Sequence, residues 1–372
     1  MRIGIDARML GEGAGIARYL EQLIFHLQQR DPAHEYVLFL TRVNWDLVTI
    51  TNPRFTKVLA NIDWYTFEEQ YAFPRIIRKA KVDLMHFPHF NIPIFYRQPF
   101  VVTIHDLTMF HYPRLDASTW GPVVHYIKDK VHRWVIGRAV KNAQHIITTT
   151  QFTAQDIVTT CSVLIEKMTV TYQAPFISLP VGGDVSSNDE EGSTKPFIMY
   201  VGAAYPHKNV EGLLRIWQQY VSLYGNTHEL LLVGKKNYFY TRLITSSLFK
   251  NTPCVRYLGF VDDTVLVSLY KRAALYVFPS LYEGFGLSPL EAMMHGVPVV
   301  SSSRSCLPEV LGEAALYADP DNISQFVDCI HQGIHDDDVR YSLRQAAKKE
   351  LLRYSWKDLA KQTEVIYEKY VG

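Results

Sequence analysis

The chain has 372 residues, 48% hydrophobic and 20% charged, which suits two globular domains with sizeable cores. A formal net charge of +1 excludes a chain that is basic throughout, so the composition points to no nucleic-acid partner. Cys161, Cys254, Cys306 and Cys329 are widely spaced with no C-x-x-C pair, which argues against a disulfide framework or a zinc site and fits a reducing, cytoplasmic setting.

The charge is unevenly divided. Residues 1–178 carry 19 Lys and Arg against 15 Asp and Glu, and the remainder carries 19 against 22. Asp6 interrupts the apolar start, so no signal peptide is expected, and no run of about 18 apolar residues suggests a membrane-spanning helix.

Residues 1–6 read as a short buried strand. Gly11-Glu-Gly-Ala-Gly15 follows, then an apolar-periodic helix over 16–29 with Ile16, Tyr19, Leu20, Leu23 and Leu27 on one face. Strand, glycine loop and helix open a doubly wound α/β domain. A dinucleotide fingerprint is not met: Arg18 stands where a third Gly or Ala belongs, and no acidic residue ends the next strand, 36–40. On its own the loop reads as a plain turn.

Further strands are expected at 54–60, 83–87, 100–104 and 145–149, with helices between them. That alternation implies a mainly parallel sheet, with ligands beyond the carboxyl ends of its strands. His105-Asp106 sits at such an end. His86 and His89 follow another as His-x-x-His, but with no helix and no third ligand they do not make a metal site. Residues 120–142 read as a helix, with Val124, Ile127, Val131, Trp134 and Val135 at near-helical spacing. It carries Lys128, Lys130, Arg133, Arg138 and Lys141 against Asp129 alone. A basic, Trp-bearing helix of this kind suits an anionic membrane surface, and equally a core helix with a solvated face.

Residues 179–195 are rich in Gly, Ser and acidic residues and read as a linker between domains 1–178 and 196–354. The second domain opens with strand 197–201, the turn Gly202-Ala-Ala-Tyr-Pro-His-Lys208-Asn209, and a helix from Val210 with Asn209 as its cap. Lys208 is either a surface lysine or a point charge on a phosphate. Strands at 229–233, 254–258, 274–278 and 297–301 complete a second α/β unit. Between the last two, Gly284 and Gly286 bracket Phe285. A helix then begins with Ser288 as cap, Pro289 at its first position and Glu291 three residues after the cap, and ends at Gly296. Such a loop and helix start can receive an anion. Glu283 and Glu291 could accept hydrogen bonds from sugar hydroxyls, or be a solvated loop charge and a capping-box partner. Asp319-Pro-Asp321 spells D-x-D but reads as a turn, and 355–372 forms a last amphipathic helix.

The stretch Glu283-Gly-Phe-Gly-Leu-Ser-Pro-Leu-Glu291, continued by Ala292-Met-Met-His-Gly-Val-Pro-Val, resembles the Glu-x7-Glu signature of retaining glycosyltransferases of family 4, which have the GT-B fold. Gly259-Phe-Val-Asp262 and Leu307-Pro-Glu309-Val310 are similar to that family's phrasing as well. The resemblance implies two doubly wound, Rossmann-like α/β domains facing across a cleft, with 355–372 crossing back onto the first. It implies a nucleotide-sugar in the second domain: Glu291 on the ribose, Glu283 on the transferred sugar, and the N–H groups of Phe285, Gly286 and Leu287 on sugar and phosphates. Lys208 and Gly15 would serve the diphosphate, and His105 would line the sugar pocket. His207 replaces a common Arg, and Ala203 stands where Arg or Thr is common, which leaves Lys208 as the main cation. The implied chemistry needs no metal and no cofactor beyond the donor, GDP-mannose first and a UDP-sugar next. The implied acceptor is a glycan or lipid-linked glycan of bacterial polysaccharide or lipopolysaccharide assembly, met in the cytoplasm or at the inner face of the membrane. A GT-B nucleotide-sugar epimerase and a catalytically silent scaffold are the competing readings.

Overall fold

The computed structural model describes residues 1–11, 14–30, 34–113, 121–176 and 195–370. The chain divides into two compact units, Met1–Gln173 with Ser355–Gly372, and Ala174–Tyr354. Of the expected linker 179–195, all but Lys195 lies outside the described residues.

The first unit is built on β1 (Arg2–Asp6), β2 (Glu35–Leu40), β3 (Phe55–Leu59), β4 (Leu84–Phe87), β5 (Phe100–Ile104), β6 (His145–Thr148) and β7 (Met168–Val170). The order is β3-β2-β1-β4-β5-β6-β7, every pair parallel, with Ile3 registered between Tyr36 and Leu84. Parallel strands are covered on both faces, which is why they are apolar runs: all of Phe100–Ile104 is buried. The core joins Val37, Phe39, Phe73, Phe87, Val102 and Ile146.

The strand order reverses between β1 and β4, the point where doubly wound sheets open at their carboxyl ends. Here it is filled by charge. Arg8, 1% exposed, donates from Nε and Nη2 to the two Asp6 oxygens at 2.8 Å each. It also reaches Glu69 at 2.7 Å and the Ile62 carbonyl at 3.2 Å, with its guanidinium 3.8 Å over the Phe73 ring. Asn91 completes the Glu69 carboxylate at 3.1 and 3.0 Å. Buried charges persist only when paired and hydrogen-bonded in this way.

The last helix, Trp356–Tyr370, belongs to this unit. Its Tyr367 hydroxyl meets His86 Nδ1 at 2.6 Å, Glu364 pairs with Arg30 at 2.5 Å, and Tyr370 meets His145 Nδ1 at 2.9 Å. The helix Gly121–Asn142 buries Ile136, Ala139 and Val140. Val131 and Trp134 of the same helix are exposed. Among the described residues no helix is long and apolar enough to cross a membrane.

The second unit carries β8 (Phe197–Val201), β9 (Glu229–Val233), β10 (Val255–Gly259), β11 (Leu275–Phe278), β12 (Val299–Ser302) and β13 (Ala315–Ala318). The order is β10-β9-β8-β11-β12-β13, again all parallel, with the reversal between β8 and β11. The sequence reading missed β7 and β13. Both are edge strands of three and four residues, partly exposed or alanine-rich, so neither carries an apolar run.

Candidate active site

In the second unit the reversal point brings together the loops that follow β8 and β11. Lys208 ends the short turn Pro206–Lys208 after β8, and Glu283 lies in the loop after β11. Lys208 Nζ donates to both Glu283 oxygens at 2.7 Å and stands 5.6 Å over the Phe278 ring. Glu283 is only 7% exposed, so it is not a solvated loop charge, and Lys208 is not a free surface lysine. Backbone ties fix the two loops together: Leu281 N–H donates to the His207 carbonyl at 2.7 Å. Asn209, expected to cap the next helix, adopts φ 55° and makes no side-chain cap; its amide donates to the Pro279 carbonyl at 3.3 Å instead.

A third loop, after β12, holds Glu283 from the other side. Ser305 Oγ accepts from the Glu283 N–H at 3.1 Å. The buried Cys306 thiol donates to the carbonyls of Glu283 and Phe285 at 3.2 and 3.4 Å. Burial raises that thiol well above its ordinary pKa, so it stays a neutral S–H donor. The sequence reading gave neither residue a role. The only signal was their place just before Leu307-Pro-Glu309.

The helix after the loop runs Leu287–Met294 with Gly286 as its cap at φ 95°, where an added Cβ would stand 3.0 Å from Leu307. Ser288 is therefore the second helical residue, not the cap, and Glu291 is not its capping-box partner. The left-handed glycine starts the helix two residues earlier than the Ser-Pro pair suggested. Glu291 is half-buried on this helix. Phe285 is buried edge-on against Tyr354, centroids 5.6 Å apart. The first N–H groups of the helix, Leu287 and Ser288 among them, have no acceptor within it and mark its positive end.

His105 and Gly15 belong to the first unit. His105 follows β5; its Nε2 donates to the Pro88 carbonyl at 3.0 Å and its Nδ1 accepts from Gln173 at 3.0 Å. Burial lowers its pKa to about 4, so the ring is neutral with its proton on Nε2. Both nitrogens are spent within the chain, and Gln173 had gone unnoticed in the sequence. Tyr19 sets the edge of its ring against His105 at 4.9 Å. Tyr19 lies one turn along the helix Ala14–Gln28 from Gly15. A Cβ at Gly15, which is exposed, would meet nothing within 4 Å, so the unit's own packing does not require glycine there.

His86 bonds Tyr367 and, at 2.8 Å, Thr103; His89 accepts from the Asn91 N–H at 3.2 Å. Burial lowers both to about 3. Asp319 and Asp321 of the D-x-D share Arg304, which is 2.9 Å from Asp319.

Two family patterns match this sequence: Glycosyltransferase Family 4 over residues 13–174 and Glycosyl transferases group 1 over 186–350. The chain belongs to glycosyltransferase family 4. This family 4 glycosyltransferase is 29% identical over 304 residues to O-antigen chain mannosyltransferase B of Escherichia coli, covering 78% of this chain and 76% of that protein. It is 26% identical over 293 residues to O-antigen chain mannosyltransferase RfbU of Salmonella typhimurium, covering 76% and 75%. Its fold is GT-B. Sucrose-phosphate synthase from Thermosynechococcus elongatus superposes with a TM-score of 0.74 at 18% identity, covering 99% and 98% of the two chains. WaaG, a glycosyltransferase involved in lipopolysaccharide biosynthesis, does so with a TM-score of 0.71 at 13% identity, covering 98% and 99%.

Proposed function

We propose that this glycosyltransferase is a retaining mannosyltransferase that moves mannose from GDP-mannose to a lipid-linked glycan of O-antigen type. The observation that carries the donor site is the Lys208–Glu283 pair at the reversal point of the second sheet, 2.7 Å on both oxygens. A lysine is a point charge on a flexible stem and exchanges one anion for another readily. On donor binding Lys208 turns to the diphosphate, and Glu283 is released to the sugar hydroxyls. Glu291 takes the ribose, and the N–H groups of Phe285, Gly286 and Leu287 face sugar and phosphates. Gly15 leaves room for the diphosphate and His105 offers its ring to the sugar. The C1–O bond to the β-phosphate breaks, an acceptor oxygen bonds C1 from the same face, and the acceptor proton passes to the leaving phosphate. Lys208 and the helix start stabilise the departing charge, so the reaction proceeds without a metal. Mannose rather than another sugar rests on the mannosyltransferases among the relatives.

The acceptor reading rests on the first unit's surface. Phe67 is 92% exposed, and Tyr71, Phe95, Val131 and Trp134 are each more than half exposed. Ile94 joins them: its N–H donates to Gln70 at 2.7 Å and its carbonyl accepts from Arg138 at 3.2 Å. Arg75 lies 5.6 Å over the Tyr71 ring and Arg138 5.7 Å over Trp134. Aromatic rings backed by guanidinium groups suit the headgroup region of an anionic bilayer, where a lipid-linked acceptor resides at the cytoplasmic face.

The test is a melting and hydrolysis screen with GDP-mannose, UDP-glucose, UDP-galactose and UDP-N-acetylglucosamine, with and without EDTA, with product anomers read by proton NMR. GDP-mannose should stabilise the protein, lose mannose slowly, ignore EDTA and give the α product. A shift with a UDP-sugar alone replaces the donor. Interconversion of nucleotide-sugars without acceptor favours an epimerase, and no shift with any donor favours a scaffold. Binding to vesicles containing phosphatidylglycerol, lost in Phe95→Ser/Trp134→Ser, tests the surface.

A further inference from the structure

Three consecutive carbonyls at the end of β8 are each bound by a tyrosine hydroxyl from a different place in the second unit. The Tyr276 hydroxyl, from β11, donates to the Val201 carbonyl at 3.2 Å. Tyr240, from the helix Tyr238–Thr245, donates to the Gly202 carbonyl at 2.8 Å. Tyr200 curls back from β8 to the Ala203 carbonyl at 2.9 Å. A fourth, Tyr257, does the same for Gly234 beside them at 2.9 Å and stacks on Tyr240. Two glycines make room: a Cβ at Gly202 would stand 2.8 Å from the Tyr200 hydroxyl, and one at Gly234 2.1 Å from the Gly202 carbonyl. Burial raises the pKa of Tyr200, Tyr240 and Tyr276 well above the ordinary phenol value, so all three remain O–H donors.

A trans peptide is planar, with its N–H opposite its C=O. Holding the Gly202 and Ala203 carbonyls against tyrosines therefore turns the N–H groups of Ala203 and Ala204 the other way. Both alanines are partly exposed, and the turn they form leads to Lys208. Carbonyl dipoles repel an anion and N–H dipoles attract one. The turn also lacks a cationic side chain at position 203.

Resting on the donor reading above, we propose that Tyr200, Tyr240 and Tyr276 preorganise the turn 202–205 as a backbone site for the donor's diphosphate, with the Ala203 and Ala204 N–H groups serving where a second cation would otherwise act. The tyrosines are positioning residues and touch no substrate. Their hydroxyls remove the reorganisation that the turn would otherwise undergo as the diphosphate arrives.

Tyr240→Phe and Tyr200→Phe keep the ring and delete only the donor. Calorimetric titration with GDP and UDP, each against its nucleoside, reads the difference. The expected result is diphosphate affinity weakened about tenfold, the size of one backbone hydrogen bond, with nucleoside affinity unchanged and donor KM raised more than kcat is lowered. Equal losses for nucleotide and nucleoside, or none for either, would overturn the proposal and leave the donor reading standing. A parent protein that binds neither nucleotide fails the donor reading itself, and this proposal with it. If the variants do not fold, alanine-selective nitrogen-labelled parent protein titrated with inorganic pyrophosphate gives the same answer: the Ala203 and Ala204 amide resonances must move, and unmoved resonances overturn the proposal.

Discussion

Both sheets reverse strand order beside an ion pair, and the two pairs are built in opposite ways. In the first unit Arg8 is a planar fork closed by Asp6, Glu69 and a carbonyl, with a ring beneath it and 1% exposure. In the second, Lys208 meets the single carboxylate of Glu283, with the side chains 21% and 9% exposed. A guanidinium fixed by two carboxylates has nothing to gain from a third anion. An ammonium with one carboxylate partner can trade it for a diphosphate of the same sign. The same position in the same kind of sheet thus holds a structural lock in one unit and an exchangeable pair in the other. Burial and the number of partners decide which.

The largest effect should come from breaking the lock. Arg8→Met leaves two buried carboxylates without a cation and should lower unfolding free energy by about 3–5 kcal/mol. Urea unfolding measures it, and a loss under about 1 kcal/mol would mean that the cluster is solvated and the contrast is wrong. Lys208→Met should do the reverse. Turnover falls about 10²–10³-fold through lost stabilisation of the leaving diphosphate, while the urea midpoint moves much less than for Arg8→Met. Equal stability losses for the two variants would erase the distinction between them.

A third effect is read by pH, on three buried histidines of the first unit. His86, His89 and His105 of the first unit are held to about 3, 3 and 4 by burial, against an ordinary 6.5. Between those values the unfolded chain binds protons that the folded one refuses. Stability is therefore complete above pH 6.5 and falls as pH drops toward 4, by at most about 1.4 kcal/mol per pH unit for each histidine. His105→Gln should flatten the melting-temperature profile over that window by one proton. A profile unchanged by the substitution would show that His105 titrates normally in the fold.

The interior strands were legible because parallel strands are apolar runs between glycine and proline signals, and 197–201 and 229–233 coincide with β8 and β9. Of the edge strands, β3 and β10 were legible at 54–60 and 254–258, while the three- and four-residue β7 and β13 were not, having little to bury. Lys208 and Glu283 could be named singly from spacing and resemblance. Their contact, spanning 75 positions, depends on β8 and β11 being neighbours, which no local pattern encodes. Arg8 read as one charge among many, since its partners are 2, 54 and 61 positions away. The Tyr240 and Tyr276 hydroxyls, whose carbonyl partners at the end of β8 are 38 and 75 positions away, were hidden for the same reason. Ser288 misled because a Ser-Pro pair is a good helix start, and only the φ of Gly286 shows that the turn is already complete before it.

The smallest effect tests how the exchangeable pair is kept in place. Ser305 holds the Glu283 N–H from a backbone at φ 56°, a region that costs a non-glycine residue about 1–2 kcal/mol. Two substitutions separate the bond from the strain. Ser305→Ala loses the acceptor and keeps the strained backbone; Ser305→Gly loses the acceptor and relieves it. Ser305→Gly should therefore melt above Ser305→Ala, while both lower turnover by the same modest factor, smaller than that of Lys208→Met, because the Glu283 backbone is released equally in each. If Ser305→Gly recovered turnover along with melting temperature, Ser305 would be a turn residue only. The placement of Glu283 would then rest on Lys208 and the Cys306 thiol.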